Sequence, residues 1–400
     1  MSPFDAAELF DLGDPDFVRS PYAALAEARS LAPVAWHGGL GTYVATSHAA
    51  CSTVLRDRRL GRIFVSREPV EDWETFNWLH ADSILDSEPP KHTRLRRLVA
   101  GAFGRGHVAR LAPRIEELVE TLLRDAVERV EATGEVDIVE TLAEPLPVLV
   151  IAELLGFPDS ALPMLRPWSQ AIVKMYEVDR TAEQELEAQR ACAEFAALVE
   201  EVAAHRAQHP GEDLLTDLVQ ARDGSDRLSA HELIATAVLL LNAGHEASVN
   251  GFGNGLHSIL TGPIGESDLS ALDPAPLVEE MLRHDSPLHL FDRTATAPVE
   301  VEGVRLEPGD RIAALLGAAN RDPAVFTDPD MFDPTRDPNN HLAFGLGIHF
   351  CLGAPLARLE LQIASRELFK TWPRLELRRV RQRSTFVLRG FHELVVAPSA

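Results

Sequence analysis

Cysteine is scarce in this 400-residue chain, and the three present, Cys51, Cys192 and Cys351, lie far apart without CxxC or Cys/His spacing. That argues against a disulfide framework and a structural zinc site and agrees with a reducing compartment. No Gly/Ser linker, low-complexity tract or internal repeat divides the sequence, so a single two-lobed domain over residues 1–400 is expected. Walker, flavin and dinucleotide sequences are missing too. Gly251-Phe-Gly-Asn-Gly255 has the glycines of a dinucleotide loop but sits inside a helical pattern with no strand before it.

Basic residues are outnumbered. Lys plus Arg total 38 against 61 Asp plus Glu, a formal charge of −23 that should repel nucleic acid and anionic membranes. Long apolar runs are also lacking: the longest, Ile234 to Ala243, is too short to cross a bilayer and is broken by Thr236 and Asn242. The first ten residues carry neither the basic region nor the apolar stretch of a signal peptide. A soluble, cytoplasmic, monomeric protein with no membrane or nucleic-acid partner is the expectation. Hydrophobic content of 46% is ample for a substantial core.

Helical periodicity dominates about 90–285 and 351–370, most clearly in 108–132, where apolar residues recur at three and four positions. The β-rich parts fall at about 30–50, 287–320 and 377–400. They comprise a hairpin over 34–48 turning at Gly38 and Gly39, strands at 299–305 and 311–316, and a hairpin candidate in 384–396. Helices segregated from short sheets argue for a mainly α (α+β) fold. Ser229 and Glu232 form a capping-box pattern, and no proline follows until Pro263, which predicts a helix of about thirty residues spanning roughly 45 Å.

Cys351 is heavily dressed. It sits in Phe344-Gly-Leu-Gly-Ile-His349-Phe-Cys351-Leu-Gly353, where Gly345, Gly347 and Gly353 let the backbone lie against a flat ligand. The helical pattern after it, opening at Pro355, would place the sulfur at a helix N-terminus, where a thiolate able to bind iron is favoured. On spacing alone, a small buried apolar residue competes with this reading.

The ten-residue string resembles the haem-binding loop of the cytochromes P-450, Phe-Gly-x-Gly-x-(His/Arg)-x-Cys-x-Gly, with every defined position filled. The resemblance runs in order over most of the chain. It implies a large helical lobe, a smaller β-rich lobe and a long central helix over haem b, with Cys351 as axial iron ligand. Phe344, Gly345 and Gly353 would frame that ligand, and His92, Arg96, Arg293 and His349 would hold the two propionates. Glu280 and Arg283 would be a structural pair locked to Arg336. In the central helix, Ala243, Gly244 and Glu246 match the oxygen-binding pattern Ala-Gly-x-(Asp/Glu)-Thr, but Ala247 replaces the threonine and Ser248 follows. A methyl cannot donate a proton. Ser248 over a distorted turn, an ordered water, or a substrate hydroxyl organising that water could each substitute; some macrolide-tailoring members share Ala-Ser, which implies the last.

By region, Ile63, Phe64, Trp78, Leu79, Leu240, Ala243, Ala247, Leu288, Leu290 and Phe386 are expected pocket walls, under a loop and short helix in 61–85 and a mobile lid at Trp168–Tyr176. The family's activity implies insertion of one oxygen atom of O2 into a small apolar molecule, here a polyketide or macrolide. Electrons would come from a ferredoxin and an NAD(P)H-dependent reductase, docking on Arg94, Arg97, Arg105 and Arg110. Oxidative coupling, desaturation, peroxide-driven oxidation, or a non-catalytic haem sensor or carrier remain as alternatives.

Overall fold

The computed structural model describes residues 4–103, 105–177, 180–221 and 226–399. The helices that bear on the site are α1 (Glu74–Ala81), α2 (Lys91–Val99), α3 (Ala112–Thr133), α4 (Pro145–Leu155), α5 (Leu162–Val173), α6 (Ala182–Gln208), α7 (Ala230–Thr261), α8 (Pro274–His284) and α9 (Ala354–Thr371). The strands are β1 (Val34–His37), β2 (Thr42–Ala45), β3 (Leu60–Gly61), β4 (Val136–Asp137), β5 (Leu290–Ala295), β6 (Val299–Val301), β7 (Val304–Leu306), β8 (Arg311–Leu315), β9 (Leu375–Gln382) and β10 (Phe391–Pro398). Among the described residues, no helix is long and apolar enough to cross a membrane.

Helix α7 begins where the sequence says it should. The Ser229 hydroxyl accepts from the Glu232 amide at 3.2 Å, and the Glu232 carboxylate accepts from the Ser229 amide at 2.9 Å. Its 32 residues run about 48 Å at 1.5 Å per residue. Of these, 22 are buried, packed against α4, α5, α6 and α8 in the main hydrophobic cluster. Helix α9 packs on α3 and α8 in the same cluster, which brings the end of the cysteine loop beneath α7.

The β-rich lobe is a five-stranded sheet ordered β1-β2-β8-β5-β3, antiparallel except where β2 meets β8. A second apolar cluster lies on one of its faces, and a third on the N-terminal segment. Three details differ from the expectation. The β1–β2 turn spans Gly38–Gly41, and the left-handed residue is Gly41 (φ +60°), because only there does the chain reverse through positive φ. Residues 299–306 are not one strand but the tight β6–β7 hairpin, reversing at Glu302 and Gly303. The C-terminal hairpin is wider than 384–396: β9 pairs with β10, and 383–390 is the loop between them.

The Glu280–Arg283 pair is entirely internal. Glu280 takes two 2.7 Å hydrogen bonds from Arg283 and accepts from Arg336 Nε (3.2 Å), the Asp333 amide (2.8 Å) and Asn339 Nδ2 (3.1 Å). Arg283 also donates to the carbonyls of Asn320, Pro329 and Met331. Breaking one member of such a network leaves a buried charge short of partners. Arg336→Ala is expected to lower stability by about 3–5 kcal/mol, read as a lower urea midpoint of the haem-loaded protein, and Arg336→Lys should recover part of it.

Candidate active site

The cysteine loop is shaped by two glycines with positive φ, Gly345 (+67°) and Gly347 (+72°). A Cβ on Gly347 would lie 2.6 Å from the Leu55 carbonyl oxygen, so that position tolerates nothing larger. Gly353 differs from expectation: its φ is an ordinary −81°, and a Cβ there would meet no protein atom within 4 Å. The open space above it is therefore what a flat ligand would need. The loop closes through the Cys351 amide on the Phe344 carbonyl at 2.9 Å.

Cys351 is half-buried, whereas Cys51 and Cys192 are buried. Its sulfur does not behave as the helix terminus alone predicts. Burial pushes the thiol up, and the Gly353 and Ala354 amides with Arg96 and Arg358 only partly offset that. Deprotonation would thus fall to a coordinated metal ion, which removes a thiol proton outright.

Helix α2 reaches the loop through Arg96, which donates to the carbonyls of Ile348 (3.1 Å) and Phe350 (2.8 Å). It braces the loop rather than standing free to meet a carboxylate. His92, one turn earlier, is buried with no hydrogen-bond partner on either ring nitrogen. Burial, then His349 and Arg96, push it down to about 4, so it is neutral at pH 7. Its ring lies 4.5 Å from that of His349. Buried Arg293 on β5 has its guanidinium on the Asp292 carbonyl at 2.7 Å and is pushed down to about 9, by burial first and then by Arg62.

The sequence reading did not include Glu88 or Arg62 in this cluster. Glu88 accepts from His349 Nε2 at 2.9 Å and from the Arg62 amide at 2.7 Å, and Arg62 pairs with Asp86 at 3.0 Å. A cue existed, since Glu88 lies four residues before His92 and its carbonyl opens α2. The cluster is rich in donors and holds unpartnered buried nitrogens. It is chemically fitted to a dianionic ligand such as a porphyrin with two propionates.

On α7, Leu239, Leu240, Ala243, Gly244 and Ala247 are accessible while their neighbours are buried, a stripe at helical spacing. Gly244 also admits the neighbouring helix: a Cβ there would sit 3.2 Å from Ile151 of α4. Glu246 is not on the stripe. Its carboxylate is buried against Arg383, 2.6 Å away, in a group with Glu144 and Arg166. Ser248 turns elsewhere again, into a small cavity shared with Leu142, Phe252, Leu361 and Glu360. Glu360, absent from the sequence-level candidates, is buried and pushed up to about 8 by burial alone.

A second cavity lies between α1, the end of α5 and α7, with Leu79, Ile172 and Tyr176 among its walls. Of the expected walls, Leu79 lines it and Leu240, Ala243 and Ala247 lie on the stripe. Phe64 stacks near His80 (5.6 Å), Trp78 stacks on His231 (4.2 Å), and Ile63 points to solvent. Leu288 bridges to Leu388, and Leu290 packs on the N-terminal cluster. Phe386 is a correction: it is core, wedged between Phe17 and His289, because the N-terminal segment covers it. Trp168 is likewise packed, stacking on Phe195 and donating to Glu194. The basic patch is also smaller than expected. Arg94 is committed to Glu232 and Asp226, Arg97 is drawn to Asp226 at 4.0 Å, and the Arg105 side chain lies outside the described residues.

With this geometry in hand, the family model described as Cytochrome P450 matches residues 276–382. Cytochrome P450 107B1 of Saccharopolyspora erythraea is 39% identical over 381 residues, 90% of this chain and 90% of that protein. The 6-deoxyerythronolide B hydroxylase of the same organism is 38% identical over 405 residues, covering 96% of this chain and 98% of its own. Among solved structures, P450BioI in complex with a fatty-acid-ligated acyl carrier protein superposes with a TM-score of 0.89 at 31% identity, over 96% of this chain and 99% of that one. The chain belongs to the cytochrome P450 family; it is a P450 monooxygenase, and haem is the cofactor the family implies.

Glu360 gives a pH-dependent prediction. Between its unfolded value near 4.5 and its folded value of about 8, the folded protein keeps a proton the unfolded chain has released. That contribution is complete below the lower value and lost as pH rises through the upper one. Glu360→Gln cannot ionise, so its melting temperature should match the parent's at pH 5 and exceed it by several degrees at pH 9.

Proposed function

We propose that this enzyme inserts one oxygen atom of O2 into an apolar natural product of the polyketide or macrolide class, with electrons from a separate ferredoxin and an NAD(P)H-dependent reductase. The observation that carries the haem assignment is the pairing of an accessible cysteine loop with the buried cluster around the unpartnered His92 ring. Cys351 Sγ would ligate the haem iron, and His92, His349 and Arg293 would hold the propionates, with Arg62 alongside. Arg96 fixes the loop backbone. Haem, when bound, supplies the iron that activates oxygen.

The distal residues determine how protons and water are handled. Ala247 presents a methyl where a hydroxyl would donate, and Glu246 is held by Arg383, away from the accessible stripe. Ser248 Oγ and Glu360 share a separate cavity that likewise lies off the stripe. The hydroxyl that holds water beside Ala247 is the substrate's own. The substrate class is supported by the apolar walls and by relatives named for such chemistry, among them the 6-deoxyerythronolide B hydroxylase. Ferredoxin would meet the face where α2 touches the cysteine loop, through Arg97 and Arg110 more than Arg94. The missing hydroxyl at 247 also favours a second reading, peroxide-driven oxidation.

Turnover with a surrogate ferredoxin and reductase over a macrolactone library tests this. Substrates bearing a hydroxyl should give severalfold more product per NADH, and less peroxide, than their deoxy counterparts. Ala247→Thr should change that coupling; unchanged coupling with every substrate would remove substrate assistance. Turnover sustained by peroxide and not by ferredoxin would establish the second reading.

A further inference from the structure

The cavity between α1, α5 and α7 has a polar wall that the proposed chemistry does not use. Among the residues around it, His80, Ser83, Tyr176 and Asn242 offer uncharged hydrogen-bonding groups, while Leu79, Ile172, Ala235, Val238 and Leu239 supply apolar surface. Leu239 also belongs to the accessible stripe, so the cavity joins the face of α7 that carries Ala243 and Ala247.

Asn242 is the anomaly. It is 95% removed from solvent, and its side-chain oxygen has no hydrogen-bond partner. An unpaired buried amide costs about 1–3 kcal/mol, and on an otherwise apolar helix face a leucine would avoid that cost. Opposite it the chemistry is fixed by geometry. His80 Nδ1 lies 2.8 Å from the Phe76 carbonyl, which can only accept, so Nδ1 carries the proton and Nε2 accepts. The Tyr176 hydroxyl, 3.3 Å away, therefore donates to Nε2 and keeps its lone pairs for another donor. Ser83 accepts from the Asp86 amide at 3.2 Å and retains its own proton. Asp86 is paired with Arg62, so the wall offers no unmatched charge.

We infer that this wall is a specificity subsite for a neutral hydroxyl on the substrate's apolar skeleton, with Asn242 as the positioning residue and Tyr176 its accessory. A hydroxyl both donates and accepts, so it can pair at once with the Asn242 carbonyl oxygen and with the protons of Ser83 or the Asn242 amide. A free carboxylate would find no cation there, and a plain hydrocarbon would leave Asn242 unpaired. This inference rests on the haem monooxygenase reading and narrows its substrate class to oxygenated, uncharged molecules.

The test uses the haem-loaded protein and imidazole probes that bind the iron and extend a tail into the distal cavity. 1-Alkylimidazoles of about three to twelve carbons are paired with the imidazolyl alkanols of equal length, and affinities are read from the low-spin Soret shift. At one length the alcohol should bind at least as tightly as its alkyl partner, against the trend of the series. Asn242→Leu should weaken that alcohol about tenfold, close to 1.4 kcal/mol, and leave the alkyl probe as tight or tighter; Tyr176→Phe should give a smaller loss. Alcohols weaker than their alkyl partners at every length, or a preference that survives Asn242→Leu, would overturn the subsite. Absence of any Soret shift with plain imidazole would instead overturn the haem reading beneath it.

Discussion

Glu280 is a carboxylate without access to water, and much of the proximal architecture follows from satisfying it. Its partners come from α8 and from the long irregular stretch after α8 and the sheet, at Asp333, Arg336 and Asn339. Arg283 extends the same network to the Asn320 carbonyl, and the Asn320 side chain then accepts from the Leu342 amide at 2.7 Å. Leu342 in turn accepts from Gly345, at the start of the cysteine loop. A chain of hydrogen bonds thus leads from one buried ion pair to the sulfur-bearing turn. The segment between has little regular structure, so these bonds replace the order a helix or strand would give it.

Local chemistry made part of this legible in advance. The capping box at Ser229 and the glycines at 345 and 347 are short-range signals, and the backbone obeys them, whereas the Glu280–Arg283 spacing alone fits a surface pair and its internal place followed only from the family resemblance. Side-chain destination was less legible. Successive residues of a helix point about 100° apart, so Ala247 can face the stripe while Glu246 meets Arg383 and Ser248 meets the cavity of Glu360. Nothing near Glu246 in sequence announces Arg383, which arrives from the loop between β9 and β10. Phe386 failed as a pocket wall for the same reason: its neighbours Phe17 and His289 are distant in the chain.

Charge shows a parallel contrast between composition and placement. A chain of net −23 still gathers arginines around its active side, but most of them are spent inside. Arg94 secures the start of α7, Arg96 the cysteine loop, Arg383 the acid at 246, and Arg389 a buried Asp285 at 2.8 Å. These are directional bonds to carbonyls and carboxylates, for which the guanidinium fork is suited. The surface remains acidic while the interior is organised by cations.

The double attachment of α2 carries a thermodynamic implication. Arg94 ties this helix to Glu232 in the first turn of α7, while Arg96 ties it to the loop carrying Cys351 and His92 faces the donor cluster. One nine-residue helix is therefore a shared boundary between the floor of the site and the start of its roof. By linkage, whatever binding free energy orders α2 from below is felt as added protection of the α7 amides above it, and reciprocally. Filling the site is therefore expected to protect the first turn of its longest helix.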